Sequence, residues 1–366
     1  MNKDKIQSEI KTSIRNNKYN GCILAGTGIG KGKIMVDIIK ELKPLSILYI
    51  CDNTILRDET FKNEVIKWGA EEFLDRIDMQ CYQTTYKWKD KHYDLLLMDE
   101  ADFGISPQYI KVLKNNTFTN KLLFTGTMTE DKLRIVKSYV PIIHELKITE
   151  AEQRSAVNKI NVTYVNYELT ALENATYLSF NEQFKKILNN QTLTKYDKIR
   201  LKMIQGQRKL FLQSLNSCKE ATRQLMKKLY NDHNNKILIF CGMTEQADKV
   251  CKFSFHGKNE KLNWLEKFNN NEIRVLSVVS KIDRGLNIDS VNNIIFESPT
   301  KSKTKTMQRS GRARRLDVDM VTNCFFMIPY YRDRINNLRP TVVMDYVLES
   351  AEDLDLANAN ILNIKV

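Results

Sequence analysis

Residues 21–33 read Gly21-Cys22-Ile23-Leu24-Ala25-Gly26-Thr27-Gly28-Ile29-Gly30-Lys31-Gly32-Lys33. The first five form a short apolar run with no polar face, and a glycine-rich turn follows. From Met35 onward, Ile38, Ile39 and Leu42 recur at helical spacing. A strand that passes through a turn into an amphipathic helix is the first half of a βαβ unit, and the crossover makes its strands parallel. The pattern extends outward to Thr125, with apolar runs at 21–25, 46–51, 79–83, 93–98 and 121–125. Runs this short without alternation fit strands buried on both faces.

A second set of runs begins after Lys236, at 237–241, 252–256, 274–279, 293–296 and 322–328. Between the sets, 168–233 carries helical periodicity (Leu210, Leu215, Leu225, Leu229) with lysines and arginines elsewhere, and a strand is expected before it at 162–165. The expected fold is therefore α/β, with two tandem parallel-sheet domains at 1–149 and 150–340. A helical insertion over 168–233 opens the second, and an acidic tail at 341–366 is expected to be helical. A chain of 366 residues with 42% apolar content has enough material for two ordinary cores.

No apolar run approaches the roughly 20 residues that cross a bilayer. The start M-N-K-D-K-I-Q-S-E-I is charged and has no signal-like apolar stretch. A cytoplasmic protein without membrane contact is expected. The cysteines at 22, 51, 81, 218, 241, 251 and 324 show no C-x-x-C or Cys/His spacing, so they are expected in cores and not at a metal. A formal charge of +13 suits a polyanionic partner. A Lys-, Asn- and Ile-rich composition also arises from an AT-rich genome, so charge alone does not decide.

Chemistry is better localised. A glycine turn between strand and helix lets backbone N–H groups approach phosphate oxygens and aims the positive end of the helix dipole at them. Residues 25–33 fit that description: Ala25, Gly26, Thr27, Gly28, Ile29, Gly30, Lys31, Gly32 and Lys33. Lys31 is placed to reach the β- and γ-phosphates of a nucleotide. The match to G-x-x-x-x-G-K-[ST] departs at both ends. Ala25 holds the first place, and Gly32 stands where a hydroxyl should hold Mg²⁺. Downstream, Asp99 and Glu100 end the apolar run Leu95-Leu96-Leu97-Met98. Two carboxylates there are costly unless used, and ligands of open α/β sheets bind beyond the carboxyl ends of strands. Asp99 suits Mg²⁺, directly or through water, and Glu100 suits the orientation and deprotonation of an attacking water.

Asp99-Glu100-Ala101-Asp102 and the order of blocks around it resemble the superfamily 2 helicases, whose two domains are RecA-like. The resemblance covers most of 1–330 and implies ATP and Mg²⁺ as ligands and a nucleic-acid track. It implies that Gln7 reads adenine and that Thr125-Gly126-Thr127 couples hydrolysis to strand movement. Asn53-Thr54-Ile55-Leu56-Arg57 and Gln83-Thr84-Thr85 resemble nucleic-acid-contacting segments, which implicates Thr54, Arg57 and Thr85. In the second domain, Asp283-Arg284-Gly285-Leu286-Asn287 resembles a block touching nucleotide (Gly285, Asn287) and nucleic acid (Arg284). Residues 308–315 fit Q-R-x-G-R-x-x-R, with Gln308 toward nucleotide, Arg309 toward nucleic acid, and Arg312 and Arg315 reaching the γ-phosphate. Planar guanidinium groups stabilise charge on a transferring phosphoryl group.

Asn287 replaces an aspartate common in RNA-remodelling relatives, and their fuller upstream glutamine block is missing. The pattern is more similar to compact bacteriophage DNA helicases, so DNA is expected over RNA. Lys301, Lys303 and Lys305 add to the track or line a solvated loop. Three alternatives stay open: an RNA helicase or annealing ATPase, a motor subunit of a restriction or defence complex, and a nucleotide-binding scaffold without hydrolysis.

Overall fold

The computed structural model describes residues 2–26, 28–52, 54, 56–189, 192–259, 263–279, 288, 291–311 and 320–366. They fall into two units that divide between Lys159 and Ile160.

The first unit holds six strands: β1 (Asn20–Ala25), β2 (Ile47–Cys51), β3 (Ile77–Cys81), β4 (His92–Met98), β5 (Thr117–Thr125) and β6 (Ile142–Leu146). They form a parallel sheet in the order β3-β2-β4-β5-β1-β6. Alternate residues Leu24, Leu48, Ile50, Leu96, Met98 and Leu123 join one core cluster, while Ile23, Tyr49, Leu97 and Phe124 are also buried. Both faces are covered, which is why these strands read as unbroken apolar runs. Register brings the carboxyl ends level, with Leu24 beside Thr125, Leu123 beside Met98 and Met98 beside Ile50.

Two features depart from the sequence expectation. β6 is an edge strand whose Ile-Ile-His-Glu-Leu is only partly buried, so it lacks the apolar signature. The first unit also extends past 149, because helix Ile148–Gln153 packs back on it. The Ile148 side chain comes within 2.6 Å of where a Cβ on Gly26 would stand, and Arg154 holds Glu9 at 2.7 Å.

The second unit has eight strands among the described residues. They are β7 (Ile160–Glu168), β8 (Ile237–Cys241), β9 (Ser254–Phe255), β10 (Val275–Val279), β11 (Asn293–Phe296), β12 (Thr322–Arg332), β13 (Leu338–Pro340) and β14 (Asn360–Ile364). Seven lie parallel in the order β14-β7-β12-β11-β8-β10-β9, and β13 pairs antiparallel with β12. Three helices, Ala171–Leu188, Lys195–Gln213 and Asn216–Tyr230, connect β7 to β8. The first two begin with reciprocal capping boxes, Thr170 with Glu173 and Thr194 with Asp197. The third buries Cys218, Ala221 and Leu225.

The tail is not simply helical. Helix Val343–Ser350 is followed by β14, which pairs with β7. Asn-Ile-Leu-Asn-Ile on an edge stays largely exposed and carries no buried-strand pattern. All seven cysteines are buried free thiols; burial pushes the Cys22 thiol up to about 12, far from a nucleophile's range. No helix among the described residues is long and apolar enough to cross a membrane.

Candidate active site

The turn after β1 is built from backbone conformations that suit glycine. Gly28 has φ 92° and Gly30 has φ 87°, in the left-handed region that a Cβ disfavours. A Cβ on Gly30 would also meet Gln7 Nε2 at 2.6 Å. Helix Lys31–Leu42 starts there without a side-chain cap, which leaves its first N–H groups for an anion. Gln7, on helix Asn2–Asn16, donates from Nε2 to the Ile29 carbonyl at 2.8 Å. Its Oε1 is buried without a hydrogen-bond partner. Lys31 Nζ donates to the Ala25 carbonyl at 3.2 Å and lies 3.9 Å from where a Cβ on Gly126 would stand. Lys33 reaches Asp4 at 3.5 Å and lies over the Trp68 ring.

Asp99 and Glu100 leave the neighbouring strand β4. Asp99 Oδ2 accepts from Tyr49 Oη at 3.2 Å, Oδ1 accepts from the Glu100 N–H at 3.0 Å, and the Asp99 carbonyl accepts from Tyr82 Oη at 2.8 Å. Burial, then the adjacent Glu100 charge, raises the Asp99 carboxyl above its ordinary range, and the Lys31 ammonium opposes that rise. An acid in such a place ionises most readily beside a cation. Glu100 sits at φ 48°, ψ 49°, a strained conformation for a side chain with a Cβ and one that concentrates at functional sites.

Asp102, which sequence reasoning did not single out, ties the blocks together. The Thr125 hydroxyl lies 3.3 Å from its Oδ1 and 3.0 Å from the Thr127 carbonyl, and Lys132 donates to the Asp102 carbonyl. The fourth residue of Asp-Glu-Ala-Asp thus contacts the Thr-Gly-Thr block from a buried position. A buried acid in a short motif was the available signal.

Other candidates fare unevenly. Thr54 is exposed, and Arg57 Nη2 pairs with Asp58 at 2.7 Å. Thr85 is fully buried and its hydroxyl bonds the Cys81 carbonyl, so the exposed members of that segment are Gln83 and Thr84. Arg309 is likewise buried, with its guanidinium 4.9 Å from the Phe240 ring centre, a poor position for gripping a phosphate track. Gln308 is buried with Oε1 unpartnered. Lys301 pairs with Glu349, and Lys303 with Glu352 and Asp353. These lysines face the acidic tail, which competes with a track. Thr27, Arg284, Gly285, Asn287, Arg312 and Arg315 lie outside the described residues. Beyond β11, a cavity of about 340 Å³ is lined in part by Gln213, Glu297, Thr300, Lys301, Lys305 and Tyr346.

Residues 3–130 match the family described as Type III restriction enzyme, res subunit, and residues 220–317 match the helicase conserved C-terminal domain. Both units' folds recur in the helicase domain of Pyrococcus furiosus Hef, at TM-score 0.59 and 15% identity over 94% of this chain and 97% of that one. The chain is a superfamily 2 helicase. Membership makes this helicase an ATP-using enzyme that works on nucleic acid. Its two parallel-sheet units are the tandem RecA-like domains of that superfamily. It is 24% identical to the DNA 3'-5' translocase XPB2 of Sulfurisphaera tokodaii over 331 residues, 81% of this chain and 74% of the relative. The fold also resembles the ATP-dependent Type ISP restriction-modification enzyme LlaBIII bound to DNA (TM-score 0.66, 13% identity, 98% of this chain but 31% of that one). Saccharomyces cerevisiae Dbp5 bound to RNA and ADP BeF3 gives TM-score 0.60 at 12% identity, over 99% and 89% of the two chains.

Proposed function

We propose that this helicase is an ATP-driven DNA translocase whose chemistry takes place at the carboxyl edge of the first sheet. The observation that carries this reading is the level arrangement there of the phosphate loop, Asp99 with Glu100, and Thr125-Gly126-Thr127, joined by the Asp102–Thr125 contact. Lys31 and the uncapped helix N-terminus bind the triphosphate. The unpartnered Gln7 Oε1 fits the amino group of adenine, which is a donor.

The residues also suit Mg²⁺. Among the described residues no three His, Cys, Asp or Glu side chains form a ready-made metal cage, and Mg²⁺ on a nucleotide is ordinarily held by one or two carboxylates, phosphate oxygens and water. Asp99 is the carboxylate in place for it. Held by Asp99, Mg²⁺ would supply charge neutralisation on the triphosphate. Glu100 orients a water and takes its proton as the water oxygen attacks the γ-phosphorus and ADP leaves. Arg312 and Arg315 stabilise the transferring phosphoryl group, a role that rests on the sequence motif.

DNA is favoured by the similarity to a DNA translocase, together with Asn287 and the thin upstream glutamine block. The test is ATP hydrolysis with single-stranded, duplex and forked DNA and with RNA, at matched length and fixed salt. DNA should stimulate more strongly. Greater stimulation by RNA than by any DNA form would overturn the choice of DNA.

A second reading is the motor subunit of a restriction complex. It is favoured by the match of 3–130 to a restriction-enzyme family. Co-purification of a nuclease subunit from the native source would support it.

A further inference from the structure

The second residue of the phosphate-loop helix is the place where a hydroxyl ordinarily meets Mg²⁺. Here Gly32 leaves that place open, and another side chain comes into it. A Cβ on Gly32 would lie 3.2 Å from both Cγ and Oε2 of Glu64 and 3.3 Å from its Cδ. Glu64 belongs to helix Phe61–Lys67, and its Oε2 accepts from Trp68 Nε1 at 2.8 Å, one turn further on. The same helix is fixed to the catalytic edge, because the Phe61 ring stacks on Tyr49 at 3.8 Å and Tyr49 Oη donates to Asp99. A half-buried, aimed carboxylate therefore stands at the N-terminus of the helix that receives the triphosphate.

We propose that Glu64 replaces the missing hydroxyl and, with Asp99, would supply a second protein oxygen to the metal, either direct or through a water. This rests on the nucleotide reading above. The electrostatics support a cation. Helix N–H groups stabilise a carboxylate at this end, but a triphosphate brought to the same N-terminus repels it unless a divalent ion lies between them. A glycine at 32 and a glutamate at 64 are thus complementary: the side chain given up by one position makes room for the other.

The experiment uses the full chain, Mn²⁺ as an electron-paramagnetic-resonance probe with ATP, and a fluorescent ATP analogue titrated in EDTA. Glu64→Gln keeps an acceptor for Trp68 and removes the charge. It should weaken Mn²⁺ binding to the ATP complex on the order of 10-fold or more, while metal-free nucleotide binds as well as to wild type or better. Gly32→Ser combined with Glu64→Ala should return Mn²⁺ affinity toward the wild-type value, since the serine hydroxyl then has both space and function. Unchanged Mn²⁺ affinity in Glu64→Gln would overturn the proposal, as would an equal loss of metal-free nucleotide affinity, which marks a purely structural role. If wild-type chain takes up neither the analogue nor Mn²⁺ with ATP, the nucleotide reading itself fails and the proposal goes with it.

Discussion

Asp99 and Glu297 occupy matching places in the two sheets. Each follows a buried parallel strand, β4 in one unit and β11 in the other, and burial raises the carboxyl of both. Their surroundings differ. Asp99 has the Lys31 ammonium opposing the rise, a tyrosine hydroxyl and the strained Glu100 beside it. Glu297 is helped by neutral groups, chiefly the Gly242 N–H at 3.4 Å, and is pushed up to about 7. Burial at a strand end is therefore not enough to make a site. The acid next to a cation and a phosphate loop has a charged partner, whereas the other meets only neutral groups.

Loss of the Lys31 cation should have the greatest consequence. Lys31→Ala removes the cation shared by the phosphates and Asp99, and turnover should fall on the order of 10²–10³-fold or more, with weakened ATP binding by calorimetry. Because the folded Glu297 holds its proton to about pH 7 while the unfolded carboxyl releases it near 4.5, the folded state binds more protons between those values. Its contribution to stability is full below about 4.5 and is lost as pH rises to 7, by roughly 3 kcal/mol at most. Glu297→Gln should flatten the decline in melting temperature over that window and leave nucleotide affinity unchanged. A persisting slope would assign it to other groups.

Asp102→Ala is expected to have a smaller effect. It removes a buried acceptor of Thr125 and should cost about 1–3 kcal/mol of stability. It should also lower nucleic-acid stimulation more than basal hydrolysis, as kinetics with and without DNA would reveal. Smallest is Arg57→Ala. With Asp58 already holding that guanidinium, the slope of log affinity against log salt should shrink by less than the roughly 0.9 per lost phosphate contact of an unpaired cation.

The legibility of the sequence followed burial. β1, β2, β4 and β5 showed themselves because both faces are covered. β6 and β14 did not, since edge strands with His144, Glu145, Asn360 and Asn363 carry no such run. Within the site, residues adjacent in sequence were readable as motifs: Gly30 with Lys31, and Asp99 with Glu100. Groups that meet only through folding were not. Asp102 meets Thr125 across two strand ends, and Glu64 meets Gly32 across two helices. Thr85 and Arg309 are buried, which their motif positions did not reveal, because a motif position does not show which way a side chain turns.

In the proposed reaction, ATP is hydrolysed at the carboxyl edge of the first sheet with Glu100 as the base. The most direct test compares binding with turnover in Glu100→Gln, using ATP affinity by calorimetry and phosphate release with DNA present. ATP affinity should stay wild-type-like while turnover falls on the order of 10²–10⁴-fold. Phosphate release at a near wild-type rate would contradict that role for Glu100.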